Sequence, residues 1–498
     1  MRFLLFGTGE YYNRYKIWFD KKDIAALVDN SKEKQGTFID GIFVTAPQNV
    51  HAYEYDVIVI LSFYFRSMKS QLIDLGVEEC RIYHFYGLHD LIYSPAIKRK
   101  IYYYNIPSQS GIQDKEQKRI LLLNQDLTLG GPALALYHAA KILIKNGFHV
   151  VYGSMIDGPL REILTGEGIP VVVDENLLLE TMEESDWING YQMVLCNTIN
   201  FHVFLSKRRM EIPVVWWLHD AMFFYEGVNQ KAIKRIENRN IKIWAVGPIS
   251  KKAIQAFRPD FCVENLLYGI EEPGNQNKSL GFIDKKREHS GTGMQEKASI
   301  QEEIRFRKMR FAVIGYIEER KGQDILLQAI QELSPDIRKK AEFYFVGQNT
   351  SEMARRVIKA AKEIPEIIIT GPVGREAIEN ILNSIDLLIC PSREDPMPTV
   401  AAEAMMHAVP CLISDAAGTA EYVRNEINGL VFRNQNIGQL KKLLAQSISG
   451  KYDLAEMGKN ARKVYEEYFS MKAFERRFMD LFSEAACLCS GEQERNEQ

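Results

Sequence analysis

Two carboxylates eight positions apart, Asp395 and Glu403, lie in the stretch PSREDPMPTVAAE (residues 391–403). The apolar run before it predicts a buried strand, and the AAEAMMHA pattern after it predicts a helix. A strand, a loop and a helix amino terminus can bind an anion, because free backbone N–H groups and the helix dipole face the loop. The pattern therefore predicts that both carboxylates meet one polar ligand, with Glu403 binding vicinal hydroxyls such as those of a ribose. A helix cap and a surface acid would give the same spacing.

A turn earlier in the chain carries two cations. The stretch GYIEERKGQD (residues 315–324) follows a predicted strand and holds Arg320 and Lys321 beside a glycine. Two positive side chains in a tight turn can neutralise a diphosphate. A solvated surface turn would contain the same residues, so the turn alone leaves both interpretations open.

Two further features lie nearer the amino terminus. In DLTLGGPALAL (residues 126–136), Gly130 and Gly131 separate a predicted strand from a predicted helix. Glycines let the backbone approach a phosphate or a sugar closely, although a plain tight turn explains the pair equally well. His219 follows the apolar run VVWWL and is either a strand-end histidine with a satisfied hydrogen bond or a site residue. The other histidines are interpreted as structural, among them His138, His149 and His407.

Three segments begin alike, with a basic residue, an apolar run and a glycine-containing turn, at residues 1–10, 119–131 and 309–321. Each is typical of the first strand and turn of a Rossmann-like unit, and alternating strand and helix patterns follow. The sequence therefore predicts an α/β chain with three such units. The predicted segments are a small accessory domain (1–104), a linker (105–118), a second unit (119–272), a charged flexible connector (273–307), a third unit (308–450), C-terminal helices (451–489) and a disordered tail (490–498).

Composition excludes several function classes. The 498 residues include 62 Lys and Arg against 65 Asp and Glu, a net charge of −3, so nucleic acid is not expected as the main partner. The seven cysteines are scattered without a CxxC pair, which is typical of reduced thiols in a cytoplasm. The apolar run at the amino terminus is shorter than a signal-peptide core, and no stretch approaches the ~20 apolar residues of a membrane span.

Taken together, these features resemble the retaining glycosyltransferases of family 4, whose GT-B architecture has two facing Rossmann-like lobes. The resemblance spans residues 119–482 and is strongest over residues 391–432, where Gly418 and Glu421 match the family's Gly-x-x-Glu loop. The Lys-Gly turn and the LGGPALAL loop match two further motifs of the family. WWLHD (residues 216–220) and NLLYGIEE (residues 265–272) match two segments of its acceptor lobe. The implied fold is a GT-B pair preceded by a third, small Rossmann-like domain.

The resemblance implies a role for individual residues. The donor diphosphate would bind Lys321, the ribose Glu403, and the transferred sugar or adjoining phosphate Asp395, with His219 beside that sugar. The implied catalytic residues are His219, Asp395 and Lys321. The implied donor-binding residues are Gly130, Gly131, Gly315, Arg320, Lys321, Met397, Thr399, Val400, Glu403, Gly418 and Glu421.

The chain departs from the family's commonest pattern in three places. The first acid of the motif is Asp395, one methylene shorter than glutamate, and Tyr316 stands where an arginine is often found. Pro396 and Pro398 remove two backbone donors from the loop. We expect Arg320 to supply the missing charge, and the N–H groups of Met397, Thr399 and Val400 to face the ligand.

The activity implied by the resemblance is transfer of a sugar from a nucleotide-sugar donor to a glycan, a glycolipid or another acceptor, with retention of anomeric configuration. Retention would follow front-face attack by the acceptor hydroxyl. No cofactor or metal is expected, because Lys321 and Arg320 can supply the charge and the chain has no Asp-x-Asp motif. The resemblance implies a cytoplasmic enzyme, and lipid-linked acceptors would bring it to the inner face of a membrane as a peripheral protein.

The first domain leaves other functions open. GTGEYY (residues 7–12) supplies two glycines of a GxGxxG pattern with Tyr12 in place of the third, and Asp29 ends the next predicted strand. An NAD(P)-dependent sugar-nucleotide oxidoreductase or epimerase acting through this domain is one alternative, and it requires tight NAD(P) binding there. A GT-B nucleotide-sugar epimerase and a non-catalytic sugar-nucleotide-binding subunit are two others.

Overall fold

Three β-sheets organise the chain in the computed structural model, which describes residues 1–62, 64–88, 91, 100–106, 119–273, 307–348 and 351–486. The chain divides into two compact units, residues 1–266 with 477–498 and residues 267–476. Nearly all of the predicted linker and connector, and the whole predicted tail, lie outside the described residues. Among the described helices, none combines the length and the apolar character that crossing a bilayer requires.

The first unit begins with a six-stranded sheet whose strands follow the order β3-β4-β2-β1-β5-β6. Neighbouring strands are parallel except for the β3–β4 hairpin. The strands are β1 (Phe3–Phe6), β2 (Ile24–Val28), β3 (Phe38–Ile39), β4 (Ile42–Thr45), β5 (Val57–Ile60) and β6 (Ile82–His84), with helices α1 (Glu10–Tyr15) and α2 (Phe65–Asp74). The predicted alternation of strands and helices in this segment is confirmed.

The second sheet of the first unit has the order β14-β13-β12-β11-β8-β9-β10-β7. Its central strands are continuous apolar runs, as expected for parallel strands covered on both faces. The strands are β7 (Ile101–Tyr104), β8 (Arg119–Asp126), β9 (His149–Ile156), β10 (Val171–Asp174), β11 (Met193–Asn197), β12 (Val214–Leu218), β13 (Ile241–Ala245) and β14 (Val263–Asn265). The helices are α3 (Gly131–Lys145), α4 (Leu160–Gly166), α5 (Gln230–Arg235) and α6 (Pro248–Phe257).

Strand β7 lies at the edge of the second sheet. The predicted accessory domain ends at residue 104, but the structure pairs β7 antiparallel with β10 of the second sheet, with Tyr104 opposite Val171. The pairing satisfies the outer backbone groups of β10, which would otherwise form an open sheet edge. Arg161 also packs over the Tyr104 ring at 4.8 Å. The accessory fold therefore ends before β7.

The two sheets of the first unit share one hydrophobic core. Tyr11 and Tyr15 of α1 stack on Phe85, with ring centroids 5.1 and 4.7 Å apart. Gly227 packs so tightly on His84 that a Cβ atom there would lie 2.3 Å from Nδ1 of the imidazole. A small cavity at the junction is lined by side chains from both sheets, namely Tyr15, Trp18, Phe85, Leu178, Leu179, Asn200, His202 and Val203.

The second unit has one parallel sheet with the order β17-β16-β15-β18-β19-β20. The strands are β15 (Met309–Ile314), β16 (Ala341–Val346), β17 (Ile367–Gly371), β18 (Leu387–Cys390), β19 (Cys411–Ser414) and β20 (Gly429–Phe432). The helices are α7 (Gln323–Gln331), α8 (Pro335–Arg338), α9 (Glu352–Ala361), α10 (Arg375–Ser384), α11 (Thr399–Met406), α12 (Ile437–Ile448), α13 (Leu454–Val464), a π-helical turn (Tyr465–Phe469) and α14 (Met471–Ala486).

The carboxyl-terminal half of α14 belongs to the first unit. Phe478 lies edge-on to Trp244 at 6.0 Å, and Phe482 lies edge-on to Phe148 at 5.2 Å. The end of α14 therefore packs in the same unit as the amino terminus of the chain.

Candidate active site

The Lys-Gly turn and the carboxylate loop meet at the carboxyl edge of the sheet in the second unit. Gly322 adopts a φ of +71°, and a Cβ atom there would lie 2.1 Å from the carbonyl oxygen of Pro391. The backbone N–H of Arg393 donates to the carbonyl of Arg320 at 2.8 Å. The Arg393 guanidinium also binds the Asp324 carboxylate at 2.8 and 2.6 Å. Only glycine fits the contact at position 322, so the two predicted motifs are locked together.

Lys321 and Arg320 both contact the carboxylate of Asp395. Lys321 Nζ lies 2.6 Å from Asp395 Oδ2, and Arg320 Nη1 lies 3.6 Å from the same oxygen. Asp395 is only 5% exposed. Burial raises the pKa of Asp395, but the charges of Lys321 and Arg320 and the N–H of Met397 outweigh it and lower the pKa overall. The site therefore holds an ionised aspartate with two preoriented cations.

The amino terminus of α11 faces this cluster from the same loop. Thr399 and Val400 are the first two residues of α11, where backbone N–H groups have no partner within the helix. The N–H of Met397 instead binds the Asp395 carboxylate, so the expectation that it faces a ligand needs correction. Tyr268, which the sequence analysis does not select, donates its hydroxyl to the Met397 carbonyl at 2.8 Å.

Gly418 supports the carboxylate loop from behind. Its N–H donates to the carbonyl of Asp395 at 2.9 Å, and the N–H of Asp395 donates to Ala416 at 3.2 Å. A Cβ atom on Gly418 would lie 1.8 Å from the Pro396 carbonyl oxygen. Glu421 is exposed in the same 3₁₀ turn, Gly418–Tyr422. The close packing on Pro396 therefore requires glycine at position 418, and the donor contacts predicted for Gly418 and Glu421 stay predictions.

Gly418→Ala is expected to destabilise the protein by about 2–3 kcal/mol, because the new methyl group must displace the Pro396 carbonyl. Chemical denaturation measures the effect. Gly438→Ala is the matched control, since its Cβ would lie 3.7 Å from the nearest atom, a flexible side-chain oxygen of Asn436. Equal stabilities of the two variants would contradict this account of Gly418.

Glu403 lies in the second turn of α11 and is 9% exposed. Arg375, at the start of α10, places Nη1 2.5 Å from Glu403 Oε1. The structure thus brings Lys321, Arg320, Asp395, Gly418 and the α11 terminus together, with Glu403 one turn further into the helix. Its predicted contact with a ribose stays a prediction.

Gly315 directly follows β15 and adopts a φ of +142°. A Cβ atom on Gly347 would lie 2.1 Å from the Gly315 carbonyl oxygen, so two glycines pass each other closely at this edge. Tyr316, which replaces the family's arginine, is 62% exposed. Among the described residues, Arg320 is the second cation within 4 Å of the Asp395 carboxylate, and its predicted role in place of the family's arginine stays a prediction.

His219 lies in the first unit, directly after β12. Its Nε2 lies 3.0 Å from Asn197 Oδ1, while Asn197 Nδ2 donates to the Pro132 carbonyl at 2.7 Å and to Asn124 Oδ1 at 3.2 Å. Because Asn197 uses its amide donors elsewhere, the imidazole Nε2–H must donate, which leaves Nδ1 as an acceptor. Burial lowers the pKa of His219 to about 3, so the ring is neutral.

Gly130 caps α3 and Gly131 is its first residue, one position before Pro132. His219 is therefore connected to the glycine loop through Asn197, at the carboxyl ends of β8, β11 and β12. Ligands of open α/β sheets bind at this edge. The structure brings His219, Gly130 and Gly131 to one edge within the first unit.

Asp220 is a buried acid next to His219, and its Oδ2 accepts a hydrogen bond from the Ile199 N–H at 2.6 Å. Burial raises the pKa of Asp220 from 3.8 to about 7, against the opposing effect of the Ile199 and His219 N–H groups. The folded state thus binds a proton more tightly than the unfolded state. As the pH rises from about 4 to about 7, ionisation of Asp220 therefore lowers the free energy of unfolding.

Asp220→Asn keeps the acceptor oxygen and removes the charge, so we expect the variant to be more stable than the parent chain above pH 7, by up to roughly 4 kcal/mol. Urea denaturation at pH 5 and pH 8 measures the difference. Asp186→Asn, at an exposed carboxyl, is the control and should leave the pH dependence of stability unchanged. If stability depended on pH in the same way in Asp220→Asn and in the parent chain, this carboxyl would be ionised at both pH 5 and pH 8.

In the first domain, the carboxylate of Asp29 is hydrogen-bonded to residues of the chain itself, including Thr8 in the glycine turn. Asp29 Oδ2 accepts from the N–H of Thr8 at 2.9 Å and from its hydroxyl at 2.5 Å, while Oδ1 accepts from Ser31 at 2.8 Å. Tyr12, in place of the third glycine, is buried in the core. The acid that would bind a ribose in a dinucleotide fold instead holds the turn closed.

Two family models match the chain. Residues 294–464 match the family described as "Glycosyl transferases group 1", and residues 1–83 match "C2185-like, N-terminal". An uncharacterised glycosyltransferase of Methanocaldococcus jannaschii is 22% identical over 155 residues, which are 31% of this chain and 42% of the relative. Spore coat protein SA of Bacillus subtilis is 20% identical over 71% of this chain and 94% of the relative. The chain spans less than half the length of the first curated relatives that it matches, at 42%, 38% and 40%.

Among solved structures, the Anabaena HepE protein in complex with UDP and glucose superposes with a TM-score of 0.58 at 18% identity. The superposition covers 74% of this chain and all of that one. At this identity the likeness establishes the fold. Residues 294–464 thus match the model of the group 1 glycosyltransferase family, and the fold is that of the GT-B glycosyltransferases.

Proposed function

We propose that the protein is a retaining glycosyltransferase of family 4 type, which transfers a sugar from a nucleotide-sugar donor to a glycan, a glycolipid or another acceptor. The observation that supports it best is the cluster of Lys321, Arg320 and the ionised Asp395 at a strand-loop-helix edge. A diphosphate is the leaving group of such a reaction, and preoriented cations stabilise the charge that it develops.

We assign each part of the cluster a role in this reaction. Lys321 and Arg320 bind the diphosphate, and the first N–H groups of α11 bind its oxygens. As the anomeric C–O bond breaks, the electron pair passes to the diphosphate and the two cations stabilise it. The acceptor hydroxyl attacks the anomeric carbon from the same face and passes its proton to an oxygen of the departing diphosphate, so configuration is retained.

The neutral imidazole of His219 suits a place beside the donor sugar, because its Nδ1 can accept a hydrogen bond from a sugar hydroxyl. Lys321 and Arg320 supply positive charge from side chains, so we propose that the reaction needs no metal or other cofactor. The bound UDP and glucose of the HepE structure favour a uridine nucleotide as the first donor to test.

The first experiment is a thermal-shift and product-release screen of the purified chain against UDP-, GDP-, ADP- and dTDP-sugars, with NAD and NADP in the same plate. A ligand that binds only the folded state raises the melting temperature. We expect selective stabilisation by one sugar nucleotide and slow release of its nucleoside diphosphate. Binding without turnover with any acceptor would instead indicate a non-catalytic subunit, and stabilisation by NAD(P) alone would move the chemistry to the first domain.

A further inference from the structure

A ladder of alternating charges joins α10 to α11 beside the proposed donor site. On α10, Arg375, Glu379 and Asn383 are spaced by four residues and lie on one face. Opposite them are Glu403 of α11 and His407, which follows α11 immediately, also four residues apart. Along this ladder, the cation Arg375 lies between the carboxylates of Glu403 and Glu379, and His407 follows Glu379.

The contacts along the ladder are short. The Arg375 guanidinium places Nη1 2.5 Å from Glu403 Oε1 and Nη2 2.6 Å from Glu379 Oε1. Glu379 Oε2 lies 2.5 Å from His407 Nε2, and His407 Nδ1 lies 2.9 Å from Asn383 Oδ1. Burial raises the pKa of Glu379, but the hydrogen bond from His407 and the charge of Arg375 lower it overall. Arg375 and Glu379 are thus each held between two partners.

Burial separates this ladder from an ordinary surface ion pair. The side chain of Arg375 is 55% exposed, but those of Glu403, Glu379 and His407 are only 11%, 15% and 10% exposed. An isolated exposed pair contributes little, because two flexible side chains must be ordered in water. Here one cation bridges two carboxylates whose side chains are largely buried, so the contacts order all three side chains together.

Within this ladder, Arg375 binds one of the two carboxylate oxygens of Glu403. Arg375 binds Oε1, and among the described residues no donor is bound to Oε2. The carboxylate therefore keeps an acceptor for a hydroxyl group while its plane is held by the arginine. Without Arg375, the carboxylates of Glu403 and Glu379 would repel each other across the gap between α10 and α11.

We propose that Arg375 is a positioning residue for the ribose of the donor nucleotide, acting through Glu403 and itself held by Glu379 and His407. The inference rests on the proposed function, because it assigns the ribose hydroxyls to Glu403. His407, interpreted as structural from the sequence, has a specific role in this proposal as the hydrogen-bond partner of Glu379.

The test compares a nucleoside diphosphate with its 2′,3′-dideoxy analogue by calorimetric titration, using whichever of UDP, GDP and ADP the intact chain binds. The parent chain is expected to bind the dideoxy analogue about tenfold more weakly, since two hydroxyls are lost. Arg375→Ala should weaken binding of the normal nucleotide by about the same factor and leave the analogue within about twofold. Arg375→Lys should recover part of the difference.

Glu376→Gln is the matched control, because Glu376 is an exposed neighbour of Arg375 on α10. It should bind both nucleotides as the parent chain does. Equal weakening of both nucleotides in Arg375→Ala would show a general structural or phosphate effect and overturn the inference, as would no weakening of either. A parent chain that binds no nucleoside diphosphate would overturn the proposed function first, and this inference with it.

Discussion

Replacing Lys321 by alanine is expected to lower the rate of sugar transfer by about a hundredfold to a thousandfold, the loss typical of removing one preoriented charge from a developing anion. Lys321 Nζ lies 2.6 Å from Asp395 and on the turn that Gly322 fixes against the carboxylate loop. The charge is thus in place before the substrate binds. Release of nucleoside diphosphate, measured with saturating donor, gives the effect on turnover.

The same change also affects stability, because it leaves the buried Asp395 with Arg320 as its remaining charged partner within 4 Å among the described residues. Removing one partner of a buried pair is costly, since the other charge stays desolvated. We therefore expect Lys321→Ala to melt at a lower temperature. The double variant Lys321→Ala with Asp395→Asn should recover the melting temperature and not the activity.

Lys359→Ala, an exposed lysine on α9, is the control for loss of a positive charge in the same unit. Its transfer rate should equal that of the parent chain. If Lys321→Ala kept a near-normal rate, the diphosphate would have to bind elsewhere and the site assignment would be wrong. If the double variant regained activity with its stability, the role of Lys321 would be structural.

The local parts of this site could be predicted from the sequence. Residues 387–390 are a continuous apolar run, the following loop contains three prolines, and the next residues favour a helix, so the strand-loop-helix order around Asp395 follows from the local sequence. In the same way, the apolar run before His219 predicts that this residue lies at the end of a strand. Such features depend on contacts within about ten residues along the chain.

The supporting residues could not be found in that way. Asn197, Tyr268 and Arg375 contact His219, the Met397 carbonyl and Glu403 across 22, 129 and 28 residues of sequence. No pattern near any of them signals the partner, because the pairing is created by the order of strands in the sheet. The sequence does contain a signal for Asn197, a polar residue at the end of an apolar strand.

The shared core of the first two sheets could not be predicted from the sequence either. The aromatic residues of α1 predict burial, but the sequence does not tell whether they pack within their own domain or on a neighbour. Tyr15 and Trp18 do both, since they belong to the core that includes β1 and also line the cavity with Leu178 and Val203. A boundary read from a polar stretch therefore says little about whether two segments fold independently.

A chain that begins at Lys100, and so lacks the first sheet but keeps β7, is expected to aggregate or to melt without a cooperative transition. Leu178, Leu179 and Val203, now buried at the junction, would face water. Burying one such side chain stabilises a protein by about 1.5–3 kcal/mol. Three of them are comparable with the ~5–15 kcal/mol that keeps a whole domain folded. Size-exclusion chromatography and a thermal melt measure the outcome.

Gly227→Val tests the same junction without deleting anything. Its Cβ would lie 2.3 Å from the buried imidazole of His84, so the first sheet must shift away from the segment that follows His219. Gly166→Ala, where no atom lies within 4 Å of the new Cβ, is the control and should melt close to the parent chain. A lowered melting temperature in Gly227→Val together with an unfolded truncation would show that the first sheet is part of the lobe that carries His219. A truncated chain that folds cooperatively would show that it is a separate module, which could then be exchanged without disturbing His219.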